Sequence, residues 1–80
     1  MMSVIEISRT QVIMTFIATC VETTARAQNT SYKEVYQRMK RVDLIERFIL
    51  PHYETLHSES RENLAEVIVE CLSNWENRDT

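Results

Sequence analysis

Eighty residues, 44% hydrophobic and 26% charged with a formal net charge of −3, describe one folded domain with no room for a second. Glycine is absent, which excludes Gly-rich phosphate loops, the dinucleotide fingerprint and the strained serine elbow. The acidic balance argues against nucleic acid as the main partner, and the short chain buries only about 60% of its unfolded surface, so self-association would help it.

The elements read as an all-α bundle of four helices spanning residues 1–80. Residues 1–7 form an arm or an added turn; the sequence does not choose between them. Ser8 is an N-cap with Gln11 completing a capping box, and Ile7 and Val12 form a hydrophobic staple. Ile13, Phe16, Ile17, Cys20, Val21 and Thr24 then share one helical face, from Arg9 to Gln28. Asn29 stands where a left-handed C-terminal residue is wanted. The stretch Val12 to Val21 followed by Ala25-Arg26-Ala27 loosely imitates a cleaved export signal. Glu6, Arg9, Thr15 and Thr19 interrupt that pattern, and the run is too short to span a bilayer, so a cytoplasmic protein is expected.

Ser31 caps a short second helix ending near Arg41, with Glu34 at the capping-box position and Val35 and Met39 facing inward. Asp43 reads as the cap of a short third helix, with Leu44, Ile45, Phe48 and Ile49 as its apolar face. Pro51 disfavours helical geometry at Leu50, so the third helix kinks there or restarts through Tyr53 and Leu56. Ser58 reads as the cap of the last helix, whose Leu64, Val67, Ile68, Cys71, Leu72 and Trp75 recur at three- and four-residue steps. Residues 76–80 read as a frayed tail.

No motif points to catalysis, a cofactor or a metal. His52 and His57 are five apart and miss the helical i, i+4 metal spacing. Ser58 and Ser60 beside His57 lack an orienting group and an oxyanion site, so capping explains them better. Cys20 and Cys71 fall at apolar helical positions and read as reduced core cysteines. Two charge patterns remain. Glu62, Glu66 and Glu70 form an acidic stripe on the last helix, read as a steering surface for a basic protein partner with Trp75 or an exposed tyrosine as anchor. The bland alternative is a solvated face balanced by the second helix. Lys33, Arg38, Lys40 and Arg41, in the basic segment 33–47, would serve a small DNA-binding regulator of helix-turn-helix type. Acids interrupt that segment, and its second helix is too apolar to read bases. A structural homodimer is the third reading.

Tyr32-Lys33-Glu34-Val35-Tyr36, Leu44-Ile45-Glu46 and Tyr53-Glu54-Thr55-Leu56-His57-Ser58, leading into Leu64 and Ile68, resemble the small bacterial proteins of the domain of unknown function 3791 family. The family pattern has glycine where Asp43 and Ser60 stand, and Pro51 marks a one-residue insertion. The resemblance implies a small cytoplasmic helical protein without known catalytic residues. Family genes beside ones resembling ADP-ribosyltransferases imply an antitoxin-like or accessory role.

Overall fold

Ser31 shows how directly the sequence sets the helix boundaries. Its backbone is extended (φ −86°, ψ 155°) and its Oγ accepts the Glu34 N–H at 3.1 Å, opening the second helix where expected. A computed structural model describes residues 9–78; the Ser8 cap and the 1–7 arm lie outside them. Every regular element among the described residues is helical: α1 (Arg9–Ala27), α2 (Tyr32–Val42), a π turn (Ile45–Ile49), α3 (Tyr53–Leu56) and α4 (Arg61–Arg78).

There are thus five helical segments rather than four. The third helix divides: the Leu50 N–H reaches the Ile45 carbonyl at 2.9 Å, a five-residue step that widens the turn, and the chain restarts at Tyr53. Leu50 itself keeps helical angles (φ −65°, ψ −46°), against the expectation from Pro51. The break instead follows Pro51, which has no N–H to extend the ladder.

The first junction is a Schellman closure. Asn29 is left-handed (φ 54°), the Thr30 N–H bonds the Ala25 carbonyl at 2.9 Å and the Asn29 N–H bonds that of Arg26 at 3.2 Å. Asp43 departs from its expected role. It is left-handed (φ 61°) and closes α2, its N–H directed at the Lys40 and Met39 carbonyls, and no side-chain cap opens the π turn. A left-handed position is also where glycine costs least. Ser58 is likewise reassigned. Its hydroxyl donates to the Glu54 and Thr55 carbonyls and closes α3, while Ser60 Oγ accepts the Asn63 N–H at 3.2 Å and caps α4. α4 continues to Arg78, past the start of the expected frayed tail.

The core lies where α1, α2 and α4 meet. Cys20, Val21 and Ala25 from α1, Val35 and Met39 from α2, and Leu64, Ile68 and Leu72 from α4 are buried together, with Leu44, Ile49 and Leu56 contributed by the connection. Burying such a side chain fully is worth roughly 1.5–3 kcal/mol. All four buried residues of α1 lie in its C-terminal half. The first half is held by an edge-on contact of Phe16 with Tyr53 at 5.2 Å, and leaves Val12 and Met14 exposed.

Candidate functional site

α4 carries both expected features of the partner site, but on opposite sides. Glu66 and Trp75 are nine residues apart, about 180° around a continuous helix. Glu62, Glu66 and Glu70 are exposed and make no ion pair among the described residues. Trp75 is half-buried against the core, its ring edge-on to Phe48 at 6.2 Å and covered by the Arg47 guanidinium at 5.4 Å. Trp75 and the acidic stripe therefore do not share a face: the residue's apolar bulk turns it inward, where desolvation favours it.

Glu62 and Glu66 instead flank a groove along the α1–α4 seam. One depression, about 330 Å³, is lined by Ala27, Glu62, Ala65, Glu66 and Val69. A second, about 350 Å³, shares Glu62 and Ala65 and adds Glu22, Thr23, Arg26 and Arg61. The alanines leave room because they carry no side chain beyond Cβ, and Val69 supplies the apolar wall. Glu70 lies on the same exposed side but does not line either depression. Arg26 is paired with Glu22 at 3.4 Å across an exposed helical turn, a contact worth a few tenths of a kcal/mol. Ala65 and Val69 were not singled out in the sequence, and Ala27 only as part of an export-signal imitation; the signal available was a small-residue edge beside the apolar face of each helix.

The basic segment divides on folding. Arg38 is engaged internally: its Nε and Nη2 donate to the two carboxylate oxygens of Glu76 at 2.8 Å each, and Nη1 donates to Gln28 Oε1 at 2.8 Å. This fork ties α2 to α4 and to the end of α1. The bond holds the Glu76 carboxyl below its ordinary value and raises Arg38 above its own. Lys40 sits over the Tyr36 ring at 5.7 Å, while Lys33 and Arg41 are exposed. Tyr32 and Tyr36 stack at 6.4 Å and are both exposed.

The remaining chemistry-bearing residues are structurally accounted for. His57 stacks on Tyr53 at 4.8 Å, its Nδ1 2.9 Å from the Glu54 carbonyl; His52 Nδ1 lies 2.8 Å from that of Phe48. Among the described residues no three His, Cys, Asp or Glu gather as a metal site would require. Burial pushes the Cys20 thiol up to about 12. Burial also raises that of Cys71, with Glu70 adding and Arg78 opposing. Neither is an activated thiolate at neutral pH. Among the described residues no helix is long and apolar enough to cross a membrane.

A family model described as "Protein of unknown function (DUF3791)" matches residues 15–75. The chain belongs to this family. The DUF3791 match covers every residue lining the α1–α4 groove and runs as far as Trp75, with Arg78 beyond it. No curated protein and no solved structure matches the chain.

Proposed function

We propose that this DUF3791 protein is a non-catalytic protein-binding module, antitoxin-like or accessory to the product of a neighbouring gene. A basic amphipathic helix of the partner docks in the α1–α4 groove. The observation that carries this reading is the adjoining pair of depressions lined by Ala27, Ala65 and Val69 together with unpaired Glu62 and Glu66, whose charge outweighs the one unpaired cation of the lining, Arg61. Small residues admit a helix closely, and the rim charges select and steer a cationic one. Glu70 adds to the field from the exposed side of the same helix. With association titrated against the neighbouring gene product, Glu62→Lys, Glu66→Lys and Glu70→Lys combined should slow binding at low salt by about tenfold or more. An unchanged rate and affinity would refute the proposal.

A second reading, self-association through the first half of α1, is favoured by a separate observation. Thr10 to Val21 carries no charged residue, and Val12 and Met14 are 40% and 63% exposed. Sedimentation of the purified chain, with Met14→Lys as control, separates a homodimer from a monomer awaiting its partner. The DNA-binding alternative keeps Lys33, Lys40 and Arg41, but its Arg38 is already held by Glu76.

A further inference from the structure

We propose that the pocket bounded by the end of α2, the π turn and the end of α4 receives the carboxylate of an acidic side chain from a partner protein. It is lined by Val42, Arg47, Trp75 and Arg78 and has a volume of about 180 Å³. Sites for drug-sized molecules run roughly 300–1,000 Å³, so this one has the size of a side chain rather than of a cofactor.

Its charge is one-sided. Two guanidinium groups line it, and no carboxylate of the described residues does. Neither arginine makes an ion pair among those residues, unlike Arg38 and Arg26. Two cationic side chains lining one small concavity favour an anion between them. The dipole of α4 favours a cation at Arg78, in its last turn, but leaves the guanidinium N–H donors unused.

Arg47 is presented by the widened turn Ile45–Ile49, and its guanidinium carbon lies over the Trp75 ring, 5.4 Å from the ring centre. A cation–ring contact holds a guanidinium in place without using its N–H donors, and that fork matches a carboxylate. The indole is in turn held edge-on by Phe48 at 6.2 Å. Val42, only 8% exposed, and the indole offer apolar contact to the methylene stem of a glutamate or aspartate. The pocket lies across α4 from the acidic groove, so it stands or falls independently of the function proposed above.

Trp75 is the sole tryptophan and lines the pocket, so its emission reports on a ligand seated there. The probe is a capped hexapeptide with two central glutamates, titrated at low salt beside the same peptide with glutamines and beside inorganic phosphate. A saturable change is expected with the glutamate peptide only, weakened about tenfold or more by Arg47→Gln and by Arg78→Gln. Arg47→Lys keeps the charge, loses the planar fork and should fall between, with far-UV dichroism showing that each variant is folded. Equal responses to the glutamine peptide or to phosphate would overturn the proposal, as would full binding by the arginine variants. An emission change on diluting the protein alone would also overturn it, by giving the pocket to a second copy.

Discussion

Removing the Arg38 side chain by Arg38→Ala should destabilise the fold more than an exposed ion pair would allow. The Arg38 and Glu76 side chains are 19% and 27% exposed, and the two N–H···O bonds of the fork are both 2.8 Å. Exposed pairs contribute about 0–1 kcal/mol, whereas breaking a buried pair costs about 3–5. At this partial cover, a loss of about 2 kcal/mol is expected, including the bond to Gln28. An 80-residue domain has on the order of 4–12 kcal/mol in all, so the loss is large. It corresponds to a melting shift of roughly 8–16 °C. Urea unfolding followed by far-UV dichroism, run as a double-mutant cycle with Glu76→Ala, isolates the pair at about 1–2 kcal/mol. The coupling should depend on pH in a fixed direction. The folded carboxyl of Glu76 is held below its ordinary 4.5, so the stabilisation is fully present above that value and is lost as pH falls below it, through the folded value. A coupling under about 0.5 kcal/mol, or one unchanged between pH 7 and pH 3, would refute a specific fork and leave only packing.

Two further substitutions test the local assignments. Ser60→Ala should cost about 1 kcal/mol as the loss of an N-cap, and Ser58→Ala less than about 0.5, both read from urea midpoints; the reverse order would restore Ser58 as the cap. Thr24 is fully buried and its Oγ1 has no hydrogen-bond partner among the described residues. Thr24→Val should therefore stabilise by up to about 1 kcal/mol; a loss of stability would mean that the hydroxyl is satisfied in solution.

The helices with self-contained termini were legible in the sequence, because their determinants lie within one turn. Ser31 with Glu34 and the left-handed Asn29 are of this kind. Asp43 misled because aspartate suits two roles, an N-cap and a left-handed residue, and only the carbonyls at the end of α2 decide between them. Ser58 and Ser60 are two residues apart, and the choice between them depends on where α3 closes. The widened turn had no residue signature at all, since Leu44, Ile45, Phe48 and Ile49 suit either helical pitch. In the candidate site, the acidic stripe was readable but its groove was not, because grooves arise between helices. The separation of Trp75 from Glu66 was available in principle from the helical repeat; its size and position near the acidic stripe suggested an anchor instead.

The five-residue step at Ile45–Ile49 has a bearing on how chain length relates to shape. A helix that gains one residue at ordinary pitch turns everything beyond the insertion by about 100°, which would carry Leu56 off the core. A turn that takes the extra residue as added width confines the rotation to itself, and Leu56 here is 4% exposed. The broad turn just before Pro51 is a place able to absorb one added residue. Deleting one residue from 45–49 should therefore leave the same contacts buried, with a regular turn in place of the wide one.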